Sequence, residues 1–216
     1  MALLCLDLDN TLINRTGAFR LWASGFVDRL GLDPHEVGWM MEMDLDGFAR
    51  RSAVFEAIRV HFNLDETAAD VMADYRARVP ELVTMPPHTL DALHAAKARG
   101  WRPWLVSNGE AGTQVPKLTA VGLDRVLDGW VVSDEAGVAK PSEAIFDVCA
   151  QRSGERLEGA WMIGDNGHID IGGAHNAGMC SVWIHRNRSW EEPRYAPTFQ
   201  AASVTDALEL IGAPSP

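Results

Sequence analysis

Five short apolar segments are spaced along the chain, and none of them alternates polar with apolar residues. They cover residues 3–6, 103–106, 130–132, 161–163 and 180–184. A strand with one face in water would show such alternation, so unbroken apolar runs indicate strands that are covered on both faces. This pattern predicts a parallel sheet that lies between layers of helices.

Helical patterns separate most of these segments. Residues 88–99 and 142–152 carry apolar side chains at helical spacing. Near the C-terminus, residues 204–211 place four apolar side chains at i, i+3, i+4 and i+7 behind Ser203, a candidate N-cap. Strands that alternate with helices predict an α/β fold with an open, doubly wound, parallel Rossmann-like sheet.

The region between the first and second apolar segments departs from this alternation. From residue 14 to residue 85 the chain shows four amphipathic helical stretches and no convincing strand. Glycine and proline residues separate the stretches and mark the end of the region. We therefore predict a helical cap domain over residues 15–85, inserted into a core domain that consists of residues 1–14 and 86–216.

Composition and charge exclude several classes of function. The 216 residues are 47% hydrophobic and 23% charged, which is ordinary for a globular protein. The formal charge of −11 argues against nucleic acid or an anionic membrane as a partner, because binding a phosphate backbone needs a basic face. No apolar run approaches the roughly 20 residues of a membrane-spanning helix, and no signal peptide is evident, so we expect a cytoplasmic location.

Polar residues follow three of the predicted strands at the point where each strand ends. They are Asp7 and Asp9 after the first strand, Ser107, Asn108 and Gly109 after the second, and Asp165 after the fourth. Ligands of open α/β sheets bind outside the carboxyl ends of the strands. We therefore expect these residues to form a single site.

Three aspartates near one point require a compensating positive charge. Asp7 and Asp9 project to the same side of an extended chain, and Asp165 would add a third carboxylate. A hard divalent cation with oxygen ligands meets this need, and Mg²⁺ suits a site that also holds water and a phosphate oxygen. An EF-hand loop is excluded because Leu12 and Ala18 stand where its glycine and glutamate belong.

Four motifs in chain order resemble those of the haloacid dehalogenase (HAD) superfamily. The motif DxDx[TV] matches Asp7, Asp9 and Thr11, a serine that ends the second strand matches Ser107, a lysine before a helix matches Lys140, and GDxxxxD matches Asp165 and Asp170. The helical insert lies where members related to phosphoglycolate phosphatase carry their cap. The resemblance therefore implies a HAD-like core domain. The position of the insert makes the chain similar to the phosphoglycolate phosphatase-like subgroup.

The resemblance implies a Mg²⁺-dependent phosphatase that hydrolyses a small phosphate monoester through an aspartyl phosphate. Asp7 would be the nucleophile, and Asp9 would act first as general acid and then as general base. The Asp7 carboxylate, the Asp9 main-chain carbonyl and Asp165 would hold Mg²⁺. The partner would be a small phosphorylated metabolite, and the protein would be a monomer or a homodimer.

The resemblance also assigns the remaining polar residues. Ser107 and the main-chain N–H groups of Asn108 and Gly109 would bind phosphoryl oxygens. Lys140 would neutralise charge on the nucleophile and on the phosphate. Asp170 would support the metal waters or orient Lys140; the alternative for Asp170 is that it caps the helix that follows.

Two other functions remain open from the sequence. Dehalogenases of the superfamily lack an acidic residue at the position of Asp9, because a halide leaves without a proton, whereas phosphomutases retain both aspartates. A noncatalytic phosphate-sensing module is the alternative outside the enzymes, and an intact Asp9 argues against it. In the predicted cap, Arg50 or Arg51 could reach a second anionic group of the substrate, although a solvated basic helix end is the simpler interpretation.

Overall fold

The computed structural model describes residues 1–214. By its contacts the chain divides into two compact units. One is an α/β unit made of Met1–Ile13 and Met85–Pro216, and the other is a helical unit made of Asn14–Thr84. Within the described residues, no helix combines the length and the apolar character needed to cross a bilayer.

The helical unit contains four α-helices packed around aromatic side chains. The helices are α1 (Arg15–Arg29), α2 (Glu36–Asp44), α3 (Arg51–His61) and α4 (Ala68–Leu82), with a 3₁₀ turn at Leu45–Gly47. The ring of Trp22 lies 5.7 Å from that of Phe55 and 5.3 Å from that of Tyr75, so aromatic contacts join α1, α3 and α4. The four helical stretches predicted from periodicity are confirmed.

A buried ion-pair cluster also joins the helices of this unit. Asp44 at the end of α2 is fully buried, and Arg15 donates to both of its carboxylate oxygens, with Nη2 2.7 Å from Oδ1. Arg51 Nη1 lies 2.7 Å from Asp44 Oδ1. Burial alone would raise the pKa of Asp44, but the two guanidinium groups hold it below its ordinary value. Arg51, considered above as a substrate contact, is therefore engaged within its own unit.

Over the residues that the structure describes, the α/β unit is built on one six-stranded parallel sheet. Its strands are β1 (Ala2–Leu6), β2 (Trp101–Ser107), β3 (Gly129–Val132), β4 (Trp161–Gly164), β5 (Cys180–Ile184) and β6 (Phe199–Ala201), in the order β3-β2-β1-β4-β5-β6. Residues 3–6 are fully buried, as expected of a central strand with both faces covered. The chain leaves β1 for β2 on one side and later returns to β4 on the other, which confirms the doubly wound fold.

Helices precede, connect and follow the strands of this sheet. They are α5 (Thr89–Ala98), α6 (Ala111–Ala120), α7 (Ser133–Ala136), α8 (Ala144–Ser153), α9 (Gly172–Asn176) and α10 (Val204–Leu210), together with a 3₁₀ turn at Leu123–Arg125 and a π-helical turn at Gly167–Ile171. The side chain of Ser203 accepts a hydrogen bond from the N–H of Asp206, so the N-cap predicted for α10 is confirmed.

The sequence predicts five strands, and the sixth strand was missed. β6 is only three residues long and lies at the edge of the sheet beside β5. Phe199 and Gln200 are exposed, so the segment lacks the apolar run that marks the other strands. Its pairing with β5 is a tertiary contact that local periodicity does not indicate.

Candidate active site

The carboxyl ends of β1, β2 and β4 bring the predicted polar residues to one edge of the sheet. Leu6 at the end of β1 pairs with Leu105 of β2 and with Ile163 of β4. Asp7, the next residue, donates its N–H to the Ile163 carbonyl over 2.9 Å. Asp7 therefore lies at the centre of the edge, between the residues that follow β2 and those that follow β4.

Three buried carboxylates form a cluster at this edge. Asp7, Asp165 and Asp170 each offer an oxygen, and these oxygens all lie within 4.8 Å of one another. All three residues are buried. The sequence predicts that Asp170 supports the metal waters or orients Lys140, and the structure places its carboxylate with those of Asp7 and Asp165.

Lys140 places its ammonium group within this cluster. Its Nζ lies 2.7 Å from Asp7 Oδ1, 2.7 Å from Asp170 Oδ1 and 2.6 Å from the Val106 carbonyl oxygen. Asn108 holds the backbone of Lys140 in place, since its Nδ2 donates to the Lys140 carbonyl over 2.8 Å and its Oδ1 accepts from the Lys140 N–H over 2.9 Å. The sequence suggested a role for the Asn108 main chain and missed this contact of its side chain.

The surroundings of Asp7 favour its protonated form. Burial raises the pKa of Asp7 to about 8; Lys140 opposes this rise, while Asp170 and Asp165 add to it. Burial alone would lower the pKa of Lys140, but Asp170 and Asp7 more than offset this effect and hold it above its usual value. Lys140 therefore does not offset the effect of burial and of the two neighbouring carboxylates on Asp7.

This donor set fits a hard divalent cation. The carboxylates offer only oxygen atoms, which Mg²⁺ prefers, and the raised pKa of Asp7 shows that Lys140 alone does not keep this carboxylate ionised. Asp7, Asp165 and Asp170 are the residues that could hold such an ion.

A π-helical turn brings Asp170 back toward the sheet. Asn166 caps this turn, because its Oδ1 accepts hydrogen bonds from the N–H groups of His168 and Ile169. Asp170 Oδ2 accepts from the Asn166 N–H over 2.9 Å. A Cβ atom at Gly164 would collide with the Asp170 carboxyl group, so this close approach needs glycine. The alternative that Asp170 caps the following helix is wrong, because it lies inside the turn.

Two arginines that follow β5 contact Asp165, and sequence reasoning missed both. Arg188 Nη2 lies 2.6 Å from the Asp165 carbonyl oxygen and 3.1 Å from Oδ2, and Arg186 Nη1 lies 3.2 Å from Oδ2. Burial and Asp170 raise the pKa of Asp165 to about 6, and Arg188 and Arg186 oppose this rise. Their position just after the carboxyl end of β5 is the signal that could have placed them at this edge.

The loop after β2 is held by side-chain hydrogen bonds. Ser107 is buried, and its Oγ accepts from Gln114 Nε2 over 2.6 Å. The N–H of Gly109 donates to Ser133 Oγ over 2.9 Å. Gly109 has a φ of 139°, which few residues other than glycine adopt. In this structure the Gly109 N–H, a predicted phosphate donor, is thus engaged by Ser133.

Asp9 lies apart from the carboxylate cluster and has its own partners. Lys117 Nζ lies 2.6 Å from Asp9 Oδ1 and 2.8 Å from Oδ2, and Gln114 Nε2 lies 3.2 Å from Oδ2. Sequence reasoning missed Lys117 and Gln114. They lie one turn apart in α6, and the signal was a lysine within the amphipathic pattern that directly follows the Ser107 loop.

Comparison with known proteins identifies related families and folds. Residues 1–178 match the model of the haloacid dehalogenase-like hydrolase family. Pyrimidine 5'-nucleotidase YjjG of Escherichia coli is 30% identical over 132 residues, which are 61% of this chain and 58% of that protein. Glyceraldehyde 3-phosphate phosphatase of Methanothermobacter thermautotrophicus is 36% identical over 99 residues, 46% of this chain and 44% of that protein. The chain thus spans about half the length of these curated relatives.

The fold is shared along nearly the whole chain. The HAD-family protein YfnB of Bacillus subtilis, solved with bound magnesium, superposes with a TM-score of 0.80. The match covers 97% of this chain and 98% of YfnB at 20% sequence identity. At that level of identity the likeness establishes the fold.

Proposed function

Because the chain belongs to the haloacid dehalogenase-like hydrolase family, we propose that it is a Mg²⁺-dependent phosphatase of small phosphate monoesters. The observation that carries this proposal is the pair of aspartates after the central strand. Asp7 is buried beside Lys140. Asp9 follows two residues later and contacts a different lysine, Lys117. The two curated relatives named above are a nucleotidase and a glyceraldehyde 3-phosphate phosphatase, which supports phosphate-ester chemistry.

In the first proposed step, a carboxylate oxygen of Asp7 attacks the phosphorus atom. The bond between phosphorus and the leaving-group oxygen breaks, and that oxygen takes a proton from the Asp9 carboxyl group. The products of this step are a free alcohol and an aspartyl phosphate on Asp7. Asp7 lies among the buried carboxylates, where Lys140 and a bound cation would favour the ionised form that the nucleophile needs.

In the second proposed step, a water molecule attacks the phosphorus atom of the aspartyl phosphate. Asp9, now a carboxylate, takes a proton from this water, and the bond between phosphorus and the Asp7 oxygen breaks. Inorganic phosphate leaves, and the carboxylate of Asp7 and the proton on Asp9 are restored. The first step leaves Asp9 as the carboxylate that the second step needs as a base. The second step restores the protonated Asp9 and the free Asp7 carboxylate that the first step needs.

Other residues of the edge would bind the phosphoryl group and the metal. Ser107, the N–H groups of Asn108 and Gly109, and the Lys140 ammonium would contact the phosphoryl oxygens. We propose that the Asp7 carboxylate, the Asp9 carbonyl and Asp165 hold Mg²⁺, with Asp170 beside them. When bound, the ion would supply positive charge that reduces repulsion between the nucleophile and the phosphate.

The position of the helical insert after β1 supports placing the chain near the phosphoglycolate phosphatase-like subgroup. Its substrate would then be a small phosphorylated metabolite. A panel that contains phosphoglycolate, sugar phosphates, nucleoside monophosphates and p-nitrophenyl phosphate, assayed with Mg²⁺ and with EDTA, tests this assignment. We expect hydrolysis of at least one member with Mg²⁺ and none with EDTA. An intact panel would favour the phosphate-sensing module, and hydrolysis that needs a bisphosphorylated activator would favour a mutase.

The covalent step is tested by Asp7→Asn. The amide is a poor nucleophile, so we expect turnover of p-nitrophenyl phosphate to fall by at least about 1,000-fold. Asp91→Asn is the matched control, because Asp91 is exposed at the start of α5, and it should keep wild-type activity. Wild-type turnover in Asp7→Asn would show that Asp7 is not the nucleophile.

A further inference from the structure

The chain has only three lysines, and two of them are buried beside aspartates of the site. Lys140 belongs to the carboxylate cluster. Lys117 contacts both oxygens of Asp9, at 2.6 Å and 2.8 Å. The third, Lys97, forms a partly exposed ion pair with Asp128 over 2.7 Å. Lys117 thus resembles Lys140 in its burial, but the mechanism proposed above gives it no role.

The pair of Lys117 and Asp9 is asymmetric in exposure. The side chain of Lys117 is 3% exposed, whereas that of Asp9 is 31% exposed. The ammonium group therefore lies behind the carboxylate, and the carboxylate lies on the accessible side. Burying an ammonium group is costly unless it is paired and hydrogen-bonded, so a lysine that only served solubility would not occupy this position.

Gln114 connects Asp9 to the proposed phosphate-binding loop. Its Nε2 lies 3.2 Å from Asp9 Oδ2, 2.6 Å from Ser107 Oγ and 3.2 Å from the Asn108 carbonyl oxygen. Gln114 is buried and precedes Lys117 by three residues in α6, so both side chains project from one face of the helix. Side chains on one face of α6 therefore contact both Asp9 and Ser107.

We propose that Lys117 and Gln114 are positioning residues that orient the Asp9 carboxyl group for proton transfer to the leaving group. A partly exposed aspartate can adopt several rotamers, and contacts to both of its oxygens select one of them. Proton transfer needs the acid within hydrogen-bond reach of the leaving oxygen, so a lost orientation lowers the rate. This proposal rests on the proposed phosphatase function and on the role of Asp9 in it.

The dependence of the rate on the leaving group tests the proposal. An alkoxide needs a proton as it leaves, whereas p-nitrophenolate is stable as an anion. Because the second step uses Asp9 for both substrates, the first step is followed alone, as release of the alcohol or of p-nitrophenol in single-turnover experiments. We expect Lys117→Met to lower the rate of this release by about 100-fold for an alkyl phosphate and by less than about 5-fold for p-nitrophenyl phosphate. KM should change little for either substrate, because Lys117 lies behind Asp9. Gln114→Leu should show the same selectivity with a smaller loss.

Three further variants serve as controls. Lys117→Arg keeps the positive charge and should recover part of the alkyl phosphate activity. Lys97→Met removes the lysine of a partly exposed ion pair and should leave both rates unchanged. In the double variant Asp9→Asn/Lys117→Met the loss should equal that of Asp9→Asn alone, because orientation no longer matters once the acid is absent.

The possible outcomes separate this proposal from the function on which it rests. Equal losses for both substrates in Lys117→Met, or a further loss in the double variant, would show a merely structural role and overturn the proposal. If Lys117→Met does not fold, Lys117→Arg and Gln114→Leu test the proposal in its place. A loss that is larger for the alkyl phosphate than for p-nitrophenyl phosphate would again support it. If Asp9→Asn itself lowers both rates equally, then Asp9 is not the general acid, and both proposals are wrong in that respect.

Discussion

Two buried aspartates, one in each unit, have opposite electrostatic surroundings. Asp44 in the helical unit contacts the guanidinium groups of Arg15 and Arg51, and its pKa lies below the ordinary value. Asp7 in the α/β unit contacts one ammonium group and two further carboxylates, and its pKa rises to about 8. Burial alone therefore does not indicate a functional carboxylate. The groups packed around each carboxylate distinguish the two, because two guanidinium groups more than offset burial at Asp44, whereas Lys140 does not offset burial and two carboxylates at Asp7.

The largest expected difference lies between two matched substitutions. Asp44→Asn should lower the free energy of unfolding by about 3 kcal/mol, because it leaves two guanidinium groups without their anionic partner. Asp7→Asn, measured with EDTA present, should leave the stability unchanged or raise it, because it removes one of three crowded carboxylates. Urea denaturation followed by circular dichroism measures both. Equal destabilisation by the two variants would contradict the distinction drawn between the two sites.

Addition of Mg²⁺ should sharpen the contrast between the units. An ion that binds only the folded protein stabilises it by about 2.7 kcal/mol at 100 times its Kd. Thermal unfolding with increasing Mg²⁺ should show this gain in the wild type and in Asp44→Asn, whose substitution lies in the helical unit. Asp165→Asn should lose most of the gain. The metal assignment would be wrong if Asp165→Asn responded to Mg²⁺ as the wild type does.

The smallest expected effect is the dependence of stability on pH without metal. The pKa of Asp7 is higher in the folded protein than the roughly 3.9 of an unfolded chain, so the folded state takes up a proton first as the pH falls. Lowering the pH from 8 to 7 should therefore raise the stability of the wild type, relative to Asp7→Asn, by about 1 kcal/mol. Lys140 is charged in both states over this range and adds no slope.

Asp44 should produce the opposite slope in acid. Its pKa is lowered in the folded state, so its contribution is present above the unfolded pKa and is lost as the pH falls through the folded value. Denaturant midpoints of wild type, Asp7→Asn and Asp44→Asn, measured between pH 3 and pH 9, separate the two effects. A wild type and an Asp7→Asn variant with parallel profiles above pH 6 would contradict the raised pKa of Asp7.

The sequence by itself determined the fold class and the edge of the sheet at which chemistry is expected. Unbroken apolar runs are a local signal of buried parallel strands, and parallel strands end at a common edge. Asp7, Ser107 and Asp165 directly follow such runs, so the structure brings them together as the pattern predicts. Lys140 lies farther from a strand end, so no strand pattern predicts that it belongs to the site. Only its place in the order of the four motifs did so.

The tertiary structure alone decided which charges meet. Lys117 lies 108 residues after Asp9, and Arg15 lies 29 residues before Asp44, so no periodicity of the sequence relates the members of either pair. Arg186 reaches Asp165 from a loop with no motif of its own. Local patterns report which face of an element is buried, whereas the partner of a buried charge depends on how distant elements pack. The sequence marks Asp7 by its motif and by its place after a strand, but the groups that pack around Asp7 and Asp44 set their opposite pKa shifts.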